Sequence, residues 1–258
     1  MLKNYFKSGW RNLTRNKTTT LINLFGLSVA LVAFIFIALW VQNEMSFDDY
    51  HKNAKDIYLV GMKFNIDDEA SPLTSLPVAD ALKKDPDVVN VARVVGWSGT
   101  LNVNGNLFAE KTGASVDSAW FNIFDYKIIS GDIKSFNSNP FSLIFTQSKA
   151  KQLFGNKNPI GQIVMLDTTL YRVSAIVKDN PVNSSLQFNM LVPMAARLAQ
   201  RKPDNNWGNM SYRTFVKVYP HTNIASFTKN ATELSQQISA RTDFSLSGYS
   251  LCMNYILM

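Results

Sequence analysis

The segment Leu21–Val41, LINLFGLSVALVAFIFIALWV, constrains this chain more than any other feature. It sits inside 26 residues without a charge, between Lys17 and Glu44. At 1.5 Å per residue its length as a helix is about 31 Å, against roughly 30 Å for the hydrocarbon core of a bilayer. A helix in a soluble core rarely stays apolar on every face for that distance, so a membrane span is predicted over residues 18–43. Trp40 belongs at the outer headgroup level, where interfacial aromatics sit. Gly26 and Ser28 are small enough to admit a neighbouring helix, or they simply face lipid. The mean hydropathy of −0.06 excludes a bundle made wholly of such helices. The rest of the 258 residues must therefore form a polar-surfaced globular region.

Charge sets the direction. The net charge is +7, with a pI near 9.4, but the excess is local. Lys3, Lys7, Arg11, Arg15 and Lys17 lie in residues 1–17 with no acid among them, while Glu44, Asp48 and Asp49 follow the span. A basic excess in one short stretch, not on a domain face, points to a membrane surface and away from nucleic acid. Positive residues stay cytoplasmic, so the N-terminus is expected inside and everything after Val41 outside. A cleaved signal peptide would have an apolar region of about 7–15 residues ending in an A-x-A-like site. LWVQNEM offers none, and an uncleaved anchor is favoured. Within residues 2–15, Leu2, Tyr5, Phe6, Gly9, Trp10 and Leu13 share one helical face, and Lys3, Lys7, Arg11 and Arg15 share the other. This is the pattern of an amphipathic helix lying in the cytoplasmic interface, with a plain topology-setting flank as the alternative. The expected interface residues are Lys3, Lys7, Trp10, Arg11, Arg15, Lys17 and Trp40.

From residue 44 to 258 the pattern turns globular. Asp56–Ile66 alternates as a strand, Leu76–Lys84 reads as a helix stopped by Asp85-Pro86, and Val88–Val95 is β-branched, together a β-α-β unit. Thr100–Ala109 reads as a hairpin with Asn104-Gly105 at its turn. Phe141–Thr146 leads into a helix, Gln147–Phe154, with Gly155 after it. Asn158-Pro159-Ile160-Gly161 is a turn, followed by strands Gln162–Leu166 and Tyr171–Lys178. A strand at Tyr212–Tyr219 and an amphipathic helix at Ile224–Arg241 follow. The fold class is α+β: one N-terminal transmembrane helix, then a mixed, strand-rich extracytoplasmic domain over 44–258. An inner subdomain is expected at about 98–200.

Several stretches, taken in order, carry a resemblance. FKSGWRNLTRNKTTTLINLFGLSVAL and VQNEMSFDDYHKNAKDIYLV resemble the opening of ABC-transporter permeases of the MacB/FtsX type. WFNIFDYKIISGD, FTQSKAKQLFGNKNPIGQIV and YRVSAIVKDNPVNSSLQFNMLVP are similar to the periplasmic core domain of the same family. The resemblance implies a non-ATPase subunit of the bacterial inner membrane that works with a cytoplasmic ABC ATPase. It also implies other permease helices or a second permease copy as neighbours, and a periplasmic adaptor or cargo outside. In that family further helices, including those that touch the ATPase, follow the outer domain. Here no second apolar run of 18 residues follows Val41, and the chain ends at GYSLCMNYILM, so a fragment or truncated product is expected in preference to a reduced relative.

No enzyme, cofactor site or metal site is expected. A P-loop needs G-x-x-x-x-G-K-[ST], and the stretch from Gly155 to Gly161 has one residue too many and is followed by Gln162. GWSG at Ser98 is one residue short of a hydrolase elbow. His51 and His221 are the only histidines. Glu44, Asp48, Asp49 and His51 read as a solvated acidic flank in preference to a metal site, and Asp67–Glu69 and Asp85/Asp87 as solvated pairs. Cys252 is alone and reads as a small tucked-in hydrophobe. Asn183-Ser-Ser and Asn230-Ala-Thr match a glycosylation pattern that carries no weight in a bacterial envelope protein. Trp120, Phe121, Phe124 and Tyr126 are expected to pack a core. The leading function is a permease subunit relaying ATP-driven movement to its outer domain. The alternative is a single-pass anchored sensor or ligand-binding module.

Overall fold

A computed structural model describes residues 2–48, 50–64, 70–199, 206–240 and 249–255. The chain divides into two compact units, Met1–Ser46 and Phe47–Met258. The first holds helices α1 (Leu2–Arg15) and α2 (Lys17–Met45). They part at Asn16, whose φ of −104° and ψ of 61° leave the helical region, while its amide Nδ2 donates to Asn12 Oδ1 at 3.0 Å. No described residue of α2 is buried, and large apolar side chains from Leu21 to Met45 stay exposed on every face. Over 18 residues its mean hydropathy is 2.7, so it is long and apolar enough to cross a bilayer.

In the second unit β1 (Ile57–Phe64) runs antiparallel to two later strands, β11 (Met210–Val218) and β12 (Tyr249–Tyr255). Two-residue strands β2 (Ala70–Ser71) and β3 (Thr74–Ser75) lead to helix α3 (Leu76–Leu82), with Pro77 in its first turn, where a missing N–H does no harm. Next comes β4 (Val88–Val103), also antiparallel to β11. β1 and β4 are therefore parallel but not adjacent, and the expected β-α-β unit is split by a strand from more than 100 residues later. Helix α8 (Ile224–Ser239) joins β11 to β12, giving the order β12-β1-β11-β4, the double split β-α-β of ferredoxin-like folds. Val78, Ala79 and Leu82 of α3 meet Phe227 and Ala231 of α8 over Val60 and Val216 of the sheet.

Between β4 and β11 the chain makes β5 (Asn106–Val116), α4 (Trp120–Ile123), β6 (Ile128–Gly131), α5 (Ile133–Ser138) and β7 (Ser142–Thr146). It continues through α6 (Gln147–Phe154), β8 (Ile163–Leu166), β9 (Thr169–Val177), β10 (Met190–Pro193) and α7 (Met194–Ala199). The pairing β4-β5-β10-β7-β9 is completed by β8, which bonds both β9 and β4, so these strands close on themselves. A barrel this small is filled by side chains. Leu101, Leu143, Phe145, Val164, Val173 and Met190 fill it. The β4–β5 turn at Asn104 (φ 52°) and Gly105 (φ 86°) has two left-handed residues in a row, the backbone of the expected Asn-Gly hairpin. A third cluster, with Trp120, Phe124 and Phe215 stacked 4.3–5.8 Å apart, joins barrel and sheet, as the aromatic content of that stretch predicted.

Candidate functional site

The expected interface residues all fall on the two helices of the first unit. Lys3, Lys7, Trp10, Arg11 and Arg15 lie along α1, with Lys7, Trp10, Arg11 and Arg15 exposed. Lys17 opens α2, and Trp40 stands exposed one turn and a residue before its end. Ser28 does not wait for a partner helix: its hydroxyl donates to the Leu24 carbonyl at 2.8 Å. Such back-bonding is how a serine satisfies itself where water is absent.

Immediately after α2 the chain enters a built polar site. Asp48 has no exposed surface, and His51 is 3% exposed. The Asp48 carboxylate accepts from Ser184 Oγ at 3.1 Å, from the Ser185 N–H at 3.0 Å and from Ser185 Oγ. Its own N–H donates to the Asn183 carbonyl at 2.9 Å. Tyr50 and Ser184 share a hydroxyl–hydroxyl bond of 2.9 Å. On the other side His51 Nδ1 accepts from the Asp125 N–H at 3.1 Å, and the Lys52 N–H donates to Asp125 Oδ2 at 3.0 Å. Asp48, Tyr50, His51 and Lys52 are thus pinned to two loops, 183–186 and 124–126, far away in sequence. Asp48 holds φ at 55°, a left-handed conformation that aspartate tolerates better than most residues.

This corrects the expectation of a solvated acidic flank. Of its described members only Glu44 is exposed; Asp48 is buried because a carboxylate with three hydrogen-bond donors in reach loses less by leaving water, and His51 is buried with Nδ1 paired to the Asp125 N–H. Asp49 and the Asp67–Glu69 pair lie outside the described residues. Asp85 is likewise buried, its Oδ1 accepting from the Asp87 N–H at 2.9 Å in a tight turn. Ser184 and Ser185, read as part of an idle glycosylation pattern, are the partners of Asp48.

Burial shifts the titrating groups around this clamp. It pushes the Tyr50 hydroxyl up to about 12, against the pull of the Ser184 bond. It raises Tyr126 well above its ordinary value. It lowers His51, although Asp48 and Asp125 pull the other way. Because Nδ1 accepts a bond, the neutral ring carries its proton on Nε2, which has no hydrogen-bond partner among the described residues.

Two more buried ionic groups escaped the sequence reading. Arg93 donates to Asp117 through Nε at 2.7 Å and through Nη2 at 3.2 Å, and Nη1 donates to the Leu76 carbonyl at 2.9 Å. It ties β4 to the start of α3 and to the β5–α4 turn. Burial opposes its charge, but Asp117 outweighs burial and its pKa is raised. In the barrel Lys149 Nζ lies 2.8 Å from Glu110 Oε2. Burial would raise the Glu110 carboxyl, yet the bonds from Lys149 and Thr112 hold it below its usual value. Nothing local in the sequence marked either pair.

A hollow of about 540 Å³ opens where β4 leaves β11. Val94, Gly96, Ala114, Leu186 and Phe188 form its apolar wall, and Lys111 and Arg213 stand over it. Ser98 also borders it, on a strand bulge between Trp97 and Gly99 and not on a strand-to-helix elbow. Among the described residues no group of three or more His, Cys, Asp or Glu side chains is placed to hold a metal ion. Cys252, free and half-buried in β12, has a thiol whose pKa burial raises.

Three comparisons with known proteins bear on this architecture. A domain of a permease-type protein from Porphyromonas gingivalis superimposes with a TM-score of 0.65 at 20% identity, covering 78% of this chain and 92% of that one. The periplasmic region of MacB from Actinobacillus actinomycetemcomitans gives 0.57 at 18% identity, with 78% and 89% covered. The extracellular domain of the ABC-type transporter YknZ from Gram-positive bacteria gives 0.54 at 19% identity, with 75% and 99% covered. These likenesses concern the fold. In sequence, the macrolide export ATP-binding/permease protein MacB of Aggregatibacter actinomycetemcomitans is 24% identical over 182 residues, 67% of this chain. The match takes in only 27% of that relative's length. The model of the MacB-like periplasmic core domain matches residues 20–234, most of the chain, and the chain belongs to that family.

Proposed function

We propose that the chain is a membrane (permease) subunit of an ABC-type export or envelope-remodelling transporter, and that it relays ATP-driven movement to a periplasmic domain. Residues 1–17 would lie on the cytoplasmic face of the inner membrane, 18–43 would cross it, and 44–258 would stand in the periplasm. A cytoplasmic ABC ATPase supplies the movement. Other permease helices or a second copy of the subunit surround the span, and an adaptor or cargo meets the outer domain. The chain itself carries out no chemistry in this reading.

The observation that carries it is the clamp at residues 48–52. The apolar helix ends at Met45, and by Asp48 the chain is already fixed by buried hydrogen bonds to loops of the outer domain. In this reading the clamp fixes the point at which the chain enters the outer domain. Two measurements test the reading. A reporter active only outside the inner membrane, fused after Tyr219, is expected to be active; activity of a cytoplasm-only reporter there overturns the orientation. Tagged chain purified from its own host's membranes is expected to bring an ABC ATPase with it, and Asp48→Ala to leave that association intact while abolishing transport-linked ATP turnover. Unchanged turnover in the variant removes the clamp from the mechanism.

A further inference from the structure

The geometry points to the hollow beside β4 as a binding site for an amphipathic organic anion. The reasoning starts from its floor. Gly96 on β4 lies opposite Ala114 on β5, and Trp97 lies opposite Gly113. A side chain at Gly113 would run into the Trp97 ring, so that glycine lets the indole lie flat against the strand. Gly96 differs: a Cβ there would meet only the Gly113 carbonyl oxygen, at 3.9 Å. Its missing side chain is not required by packing and instead leaves space open above the strand. At about 540 Å³ that space is in the range that encloses one small organic molecule.

The lining defines the chemistry. Leu186 and Phe188, both nearly buried, and Val94 offer an apolar bed. Lys111 and Arg213 are both exposed at its rim, and neither makes an ion pair among the described residues. Among the described residues no Asp or Glu lines the hollow. Two uncompensated cations over an apolar bed favour a ligand with a carboxylate, sulfonate or phosphate at one end and a flat hydrophobic body at the other. The Trp97 ring borders the same space and adds a flat apolar surface. The site does not depend on the proposed ATPase partnership.

The probe is 2-naphthoate, titrated calorimetrically into the full chain in nanodiscs of zwitterionic lipid, with empty nanodiscs subtracted. Saturable binding is expected, and it should weaken by at least about tenfold in Lys111→Gln/Arg213→Gln, since the variant loses the hydrogen bonds to both charged groups. Gly96→Val should block it by filling the floor. Neutral 2-naphthamide should bind at least about tenfold more weakly for the same reason as the double variant. Both cations are exposed, so the double variant keeps the test valid even where Gly96→Val disturbs folding. No saturable binding, binding indifferent to the double variant, or equal binding of the amide overturns the proposal. A hexaglutamate peptide that displaces naphthoate and binds more tightly overturns the small-molecule assignment.

Discussion

Acidification should loosen the clamp through His51 alone. The imidazole is held by Tyr50, Phe124 and Tyr126, with ring centroids 3.9, 5.0 and 5.9 Å away, and faces the carboxylates of Asp48 and Asp125. Both tyrosines have raised pKa values and stay neutral, so they do not enter the titration. The only free proton site on the neutral ring is Nδ1, already occupied by the Asp125 N–H. Protonation there expels that donor and leaves a buried N–H unpaired, at about 1–3 kcal/mol. The folded pKa lies below the ordinary 6.5, so the unfolded chain takes the proton first. The contribution is therefore complete above pH 6.5 and is lost as pH falls from there towards the folded value. One pH unit below 6.5, a single group can remove at most about 1.4 kcal/mol, so at roughly 2–4 °C per kcal/mol for a domain of this size melting should fall by no more than about 3–6 °C between pH 7.5 and 5.5. Thermal unfolding of the full chain in detergent, followed by tryptophan fluorescence, measures it. His51→Asn puts an amide oxygen near the Nδ1 position and cannot titrate, so its melting should stay level over the same interval. An equal acid-induced fall in that variant would refute the reasoning.

Asp48→Ala strands the donors of Ser184 and Ser185, and urea denaturation should show a loss of about 2–4 kcal/mol. Asp117→Ala leaves Arg93 buried without its carboxylate and should cost about 3–5 kcal/mol, while Arg93→Met/Asp117→Leu together should cost much less, measured the same way. Glu110 has a lowered folded pKa, so its share of stability is present above the ordinary carboxylate range and lost below it; Glu110→Gln should flatten the melting curve's dependence on pH below about 4.5. Changing Lys3, Lys7, Arg11 and Arg15 to Gln in a 1–17 peptide should weaken binding to anionic vesicles by about 1 kcal/mol per charge. Trp10→Ala should weaken binding to anionic and neutral vesicles alike, measured by co-sedimentation of the peptide with the vesicles.

What the sequence made legible was local. Gln147–Phe154 is a helix with those boundaries, and Gly155, at φ 60°, ends it. Asn104-Gly105 turns because those two residues accept left-handed backbone. The apolar helix announced itself by length. The strand order did not, because β11 enters between β1 and β4 from a distance that no window of periodicity covers. β10 and the edge strand β12 were missed for a related reason: MLVP is too short to alternate, and YSLCMNY mixes polar and apolar residues. The clamp was invisible for the same physical cause. Asp48 looks like any acidic residue beside a membrane until Ser184 and Ser185, 136 and 137 positions later, supply its donors. No signal short of that pairing would have distinguished it.

Sixteen residues make β4 unusually long, and it belongs to both the ferredoxin-like sheet and the closed barrel. Two bodies joined by loops can swing; two bodies that share a strand cannot, because swinging would tear the rows of backbone bonds on either side of it. Its ladders slip at two places, against β11 opposite Val88 and Asn90 and against β5 near Trp97 and Gly99. That is a stiff beam with a notch near its start and another at its middle. Tilt applied between them reaches the far hairpin at Asn104-Gly105 unless the second notch bends. A molecule wedged beside the notch would decide whether it does.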